Sequence, residues 1–220
     1  MKIRNEGGEK FNIQSTPTIL INGDKIKGPI TSDKLRLTVD LELEKINTWS
    51  NWINLQDQPV KIDWQQYEGY PISRAEKIIE GDIHKVAEVI QNIDLYPNIF
   101  KRVTETKRLD SNVVHVILDM PFPFAGRDYV IEYSIEKKED QWTFSFHSVK
   151  HPNGILRSGL VRLDNAAGIW ILKRISTSKT MVTYAWNGEL LGNFPDFGLN
   201  KAWITQGTEV LNWLEDALSF

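Results

Sequence analysis

Three small groups of side chains have types and spacings that suit chemistry. His115 and Asp119 stand four residues apart in an alternating stretch, so on a strand both point to one face. An imidazole and a carboxylate sharing a cavity can pass a proton. Their neighbours argue for the other face, because Val114, Val116, Leu118 and Met120 are wholly apolar and suit the interior better. His147 and His151 have a spacing that a helix uses to hold a metal. They fall in a strand and the turn after it, with no third ligand nearby, so no metal site is expected. Arg127 and Asp128 are adjacent at a strand start. Two readings of them stand: contact with the headgroup of a bound molecule, or a brace of hydrogen bonds and an ion pair.

Whole reaction classes drop out. No Gly-x-Ser-x-Gly, phosphate-loop or dinucleotide pattern occurs, so lipase and nucleotide chemistry lack their nucleophile or cradle. Cysteine is absent, which removes disulfides, thiolate catalysis and Cys-ligated metals. No cofactor is expected. The formal charge of −3 supplies no field for gathering nucleic acid, and no nucleic-acid partner is expected. The start of the chain is charged and lacks an apolar signal core, and no apolar run is long enough to cross a bilayer, so the expected location is cytoplasmic. The eight tryptophans point to a ring-lined interior, or to a carbohydrate or partner surface.

The elements that must position these groups divide near residue 46. Before it, Thr18 to Ile21, the Asn22-Gly23-Asp24 turn signal and Lys25 to Lys27 predict a hairpin, and Thr31 or Ser32 caps a helix reaching Ile46. Residues 1–46 are thus a strand-strand-helix appendage, and docking of a protein partner through it is a third reading of function beside ligand binding and catalysis. After Trp49, a short amphipathic stretch closes at Asp57-Gln58-Pro59. Two strands follow, at Val60 to Trp64 and Ile72 to Glu80, and then a helix capped by Asp82. Seven further strands at hairpin distances, Ile155 to Leu163 among them, predict a long antiparallel meander. A final helix carries an apolar stripe from Leu199 to Ala217 that includes Trp203 and Trp213. A long sheet with one closing helix is an α+β layer architecture.

Two resemblances attach to these elements. Ser15-Thr16-Pro17-Thr18-Ile19-Leu20-Ile21-Asn22-Gly23, continued by Ile26-Lys27-Gly28, is similar to the C-terminal part of thioredoxin-like and DsbA-like proteins, over residues 11–46. Without cysteine that resemblance implies no thiol redox activity. Over residues 47–220 the order of elements resembles the helix-grip (Bet v 1-like) superfamily. Tyr96-Pro97, Met120-Pro121-Phe122-Pro123 leading into Arg127-Asp128-Tyr129-Val130, Gly168-Ile169-Trp170 and Phe194-Pro195 narrow it to a START (StAR-related lipid transfer) domain.

The START resemblance implies non-catalytic binding or transfer of one hydrophobic molecule, a lipid, between the sheet and the last helix, with transient membrane contact. In sterol-binding members an arginine stands six positions after the Arg of the Arg-Asp motif; here that position is Tyr133, which offers a phenolic hydroxyl instead. Alternation places Trp142, Phe144 and Phe146 on one face of their strand, and Val182, Tyr184 and Trp186 on one face of theirs. The expected ligand-binding set is Arg127, Asp128, Tyr133, Phe144, Tyr184, Trp186 and Trp203. The alternative, by similarity to polyketide cyclases of the same superfamily, is a cyclase-like or hydratase-like enzyme using His115 and Asp119 in that cavity.

Overall fold

The computed structural model describes Leu20–Ile21, Asp24–Lys25, Ile46, residues 49–67 and residues 69–219. The chain divides into two compact units, residues 1–49 and 50–220. In the first, β1 (Leu20–Ile21) pairs antiparallel with β2 (Asp24–Lys25) in the register Leu20↔Lys25. The helix predicted up to Ile46 lies outside the described residues.

The second unit contains β3 (Ile53–Gln56), β4 (Lys61–Tyr67), β5 (Tyr70–Glu80), α1 (Ile83–Gln91) and α2 (Tyr96–Ile99). These are followed by β6 (Val103–Arg108), β7 (Val113–Leu118), β8 (Arg127–Lys137), β9 (Gln141–Ser148), β10 (Val161–Arg162), β11 (Ala167–Arg174), β12 (Lys179–Asn187) and α3 (Leu199–Ala217). The strands form one sheet in the order β3-β4-β5-β12-β11-β9-β8-β7-β6. The hairpin-spaced meander is present from β6 to β12, but the first strands join it through β5 beside β12, so α1 and α2 carry the chain to the far edge. The predicted α+β helix-grip architecture is this long antiparallel sheet with its closing C-terminal helix. Among the described residues no helix is long and apolar enough to cross a membrane.

Two local expectations differ. Ile53 belongs to an edge strand, where Asn54 pairs with Asp63, rather than to the end of a short amphipathic stretch. Of the predicted strand Ile155 to Leu163 only Val161–Arg162 forms, pairing parallel with β8. The rest is a loop because Ile155 and Leu156 find no core and stay exposed, and Gly159 adopts a φ of +83°.

Local chemistry fixes the helices. Asp82 caps α1 by accepting from the His84 amide at 2.8 Å, and α1 buries Ile83, Val86, Ala87 and Ile90 along one face. Helix α3 packs on the sheet through Trp203, Gly207, Leu211 and Leu214, a row at helical spacing. At Gly207 a Cβ would stand 2.6 Å from Ile62 Cδ1 and 3.0 Å from Ala75 Cβ, so the missing side chain is what lets the helix approach β4 and β5. Gln56 Nε2 donates to Thr208 Oγ1, and Lys77 donates to Asn212 and Glu215, which fasten the same helix to β3 and β5.

Candidate functional site

Between α3 and one face of the sheet lies a cavity of about 700 Å³. Strand alternation builds its wall. On β8 every second residue from Arg127 to Ile135 faces it: Arg127, Tyr129, Ile131, Tyr133 and Ile135. Val116 and Leu118 come from β7, Phe144 and Phe146 from β9, Trp170 from β11, and Tyr184 and Trp186 from β12. Ile90 of α1, Tyr96 of α2 and Phe100 close one side, and Ala202, Thr205, Gln206, Val210 and Trp213 of α3 form the roof. The apolar face predicted for residues 114 to 120 does supply Val116, Leu118 and Met120.

Aromatic rings dominate the interior. Trp170 stacks on Tyr184 with centroids 4.2 Å apart, and Tyr184 on Trp186 at 4.8 Å. Phe100 extends the group toward Tyr96, edge to face at 4.7 Å. The Tyr96 hydroxyl donates to the Ile90 carbonyl at 2.7 Å. Burial pushes the phenols of Tyr96, Tyr129 and Tyr184 well above their ordinary range, so all three stay protonated at any ordinary pH.

Arg127 and Asp128 part company. Neighbours on a strand point to opposite faces, and Arg127 lines the cavity while Asp128 lies behind the sheet. Arg127 is 2% exposed and has no carboxylate partner among the described residues. Its nitrogens donate to the carbonyls of Ala125, Leu190 and Leu191, tying the segment before β8 to the one after β12. Leu191 holds a left-handed φ of 50°, and Arg127 fixes its carbonyl. Desolvation lowers the arginine's proton affinity.

Asp128, expected among the ligand contacts, instead accepts a bidentate pair from Arg162 at 2.9 and 2.7 Å, and meets His115 Nε2 at 2.7 Å. Burial works to raise its pKa, but the hydrogen bonds from Arg162 and His115 hold it below the usual carboxylate range. Arg162 also donates to the Gly154 carbonyl, so this network pins the loop of residues 149–166 behind β8. The structure therefore gives Asp128 the bracing role, on the side away from the cavity.

The same network removes the His115–Asp119 pair. His115 is buried behind the sheet on Asp128, whereas Asp119, just past the end of β7, is exposed and lines the cavity rim. His147 and His151 do not meet either: His147 lies near Glu132, and His151 contacts Asp110 at 3.0 Å. Among the described residues no three His, Asp or Glu side chains gather as a metal site.

Of the other expected contacts, Phe144, Tyr184 and Trp186 line the cavity, and so does the ring of Tyr133. The Tyr133 hydroxyl, expected to meet a headgroup, is taken by Arg108 Nη1 at 2.7 Å and the Ser111 carbonyl at 3.1 Å. Trp203 is not part of the wall. Its indole donates to the Gly188 carbonyl at 2.9 Å and its ring packs on Trp64 in the core. Trp142 packs against His84 and lies under Lys137. Sequence reasoning passed over Tyr129, Ile131, Trp170, Tyr96 and Phe100. Counting by twos from Arg127 would have found the first two; Trp170 needs the register that sets it opposite both Phe144 and Tyr184.

Charged rim residues keep contact with water. Arg102 and Glu209 form a bidentate pair at 2.6 and 2.8 Å from the residue before β6 to α3. Phe124 and Phe194 meet at 4.6 Å and join the loop before β8 to the segment before α3. Beside them Phe122 and Phe197 are 97% and 92% exposed.

A thioredoxin family model matches residues 1–41. No curated protein matches the chain. Among solved structures, a StAR-related lipid transfer protein from Xanthomonas axonopodis is 22% identical, with a TM-score of 0.67 over 78% of this chain and 100% of that one. Human StAR-related lipid transfer protein 5 is 16% identical, with a TM-score of 0.76 over 85% of this chain and 96% of its own. Human STARD10 is 19% identical, at 0.68 over 88% and 81%. The sheet order, the closing helix and the cavity between them thus give this chain the helix-grip fold of the StAR-related lipid transfer domains.

Proposed function

We propose that residues 50–220 bind one hydrophobic molecule of the lipid class in this cavity, without chemistry, and exchange it at a membrane surface. The observation that carries the reading is the wall itself, a predominantly apolar lining of rings and aliphatic side chains around about 700 Å³. Removing apolar ligand surface from water there contributes about 25 cal/mol per Å². The lipid transfer proteins that share the fold support the same reading. The imidazole considered for catalysis, His115, faces away from the cavity onto Asp128, which favours binding over the cyclase-like alternative built on it.

The direct test is organic extraction of the purified protein followed by mass spectrometry. A hydrophobic compound in near-stoichiometric amount is expected. Repeatedly empty extracts, together with no uptake from a panel of lipids, would overturn the proposal.

The exposed rings suggest where exchange takes place. Phe122 and Phe197 project from the two segments joined at the rim, and inserting such rings into a headgroup layer is favourable by about 1.5–3 kcal/mol each at full burial. Replacing both by aspartate should reduce partition onto phosphatidylcholine vesicles by about tenfold or more, read by co-sedimentation. Unchanged partition would remove these rings from the exchange step.

A further inference from the structure

The ring stack Trp170–Tyr184–Trp186 has interplanar angles of 26° and 18°. Side chains on a sheet stand roughly perpendicular to it. Rings stacked in that posture turn their faces to one another and their edges into the space beyond. An aromatic edge is the positive part of the ring quadrupole, whereas a cation is held by a face. The stack is therefore poorly arranged for a cationic headgroup.

What the stack does offer is hydrogen-bond donors. The Tyr184 hydroxyl sits at the tip of the middle ring, and the Tyr129 hydroxyl projects from β8; among the described residues neither has a hydrogen-bond partner, unlike the satisfied phenol of Tyr96. The indole N–H of Trp186, on a residue 5% exposed, is also unpaired. Tyr129 and Tyr184 are close enough for the ionised form of one to oppose ionisation of the other, and burial keeps both protonated. The fully buried charge in the wall, Arg127, has committed its nitrogens to backbone carbonyls. The ring-lined part of the wall thus presents neutral donors, and each nitrogen of its buried guanidinium already donates to a carbonyl.

We propose that the cavity selects a neutral hydrophobic molecule bearing a carbonyl or hydroxyl oxygen at its inward end, received by the hydroxyls of Tyr129 and Tyr184. This deepens, and rests on, the ligand-binding reading above. Discrimination has a clear source: a molecule without an acceptor leaves buried donors unpaired, and one with an inward charge loses its hydration without a counter-charge.

The test uses five probes of matched chain length delivered from cyclodextrin to the full chain: 2-tridecanone, 1-dodecanol, tridecane, dodecanoate and dodecyltrimethylammonium. Binding is followed by tryptophan fluorescence and corrected for each probe's own transfer out of water. The ketone and alcohol should bind about tenfold more tightly than the alkane and either ion. In the double variant Tyr129→Phe, Tyr184→Phe, which keeps both rings, the gap between ketone and alkane should close. Equal corrected affinities, a preference for either ion, or a gap that survives the double variant would each overturn the proposal while leaving the lipid-binding reading intact. Failure of all five to bind would overturn that reading itself, and the proposal with it. Should the double variant melt early, the ranking on the unaltered protein still decides.

Discussion

Replacing Asp128 by alanine is expected to lower the free energy of unfolding by about 3 kcal/mol, because it strands two buried partners at once. The carboxylate is fully enclosed and accepts from both Arg162 and His115. Without it the guanidinium faces a hole and the loop it pins loses its anchor on β8. The figure sits at the lower end for a broken buried pair because the Arg162 side chain keeps 21% exposure and recovers some hydration. Acid should produce the same loss in the unaltered protein. The folded pKa of Asp128 lies below its unfolded value, so its contribution is fully present above about pH 4 and disappears as pH falls through the folded value. Asp63, opposed by burial but held down by Arg74, Asn54 and Lys61, titrates in the same direction. Urea melts at pH 7 and across about pH 3 to 5 should show the decline, with a shallower slope in Asp128→Asn. An Asp128→Ala protein within about 1 kcal/mol of the parent would show that the loop holds itself.

That result would separate two residues that look like one motif. Arg127 and Asp128 are adjacent at the start of β8, and adjacency invites a joint role. The pleat denies it: Arg127 binds the cavity's two rim segments together in front of the sheet, while Asp128 holds the loop of residues 149–166 behind it. One dipeptide thereby braces both surfaces of β8, with Arg127 in the cavity wall and Asp128 away from it.

The sheet's elements were largely legible because hairpin turns and alternating residues are local signals. Turn residues such as Asp110-Ser111-Asn112 marked β6 and β7, and Asp82 marked the start of α1. What sequence could not show was partnership across distance. Joining β5 to β12 depends on the two helices between β5 and β6, and the three-ring stack depends on registers across β11 and β12. Trp203 misled for a related reason. A helix carries an apolar stripe for the core and another for any cavity, and periodicity alone does not say which side faces the hollow. Here the core seam is Trp203, Gly207, Leu211 and Leu214, and the hollow takes Ala202, Thr205, Val210 and Trp213.

This division of α3 makes the cavity testable without disturbing the fold. Ala202 and Thr205 are small, lie one turn apart on the hollow-facing side, and are separate from the seam that binds the helix to β4 and β5. Phenylalanine at both positions projects into empty volume instead of packed core, so the double variant Ala202→Phe, Thr205→Phe should melt at or slightly above the parent temperature. Ligand binding should suffer heavily. If the two rings deny space to three methylenes of a bound chain, at about 0.8 kcal/mol each, affinity falls by roughly 60-fold. Uptake of 1-dodecanol, measured beside a thermal melt, separates the two effects. Full affinity with both rings in place would mean that the ligand lies outside this cavity, and would shift attention to the exposed rim at Phe122 and Phe197. Lost affinity with intact melting would locate the bound molecule beneath α3, so that loading it requires the helix or its rim segments to move past the Arg102–Glu209 pair.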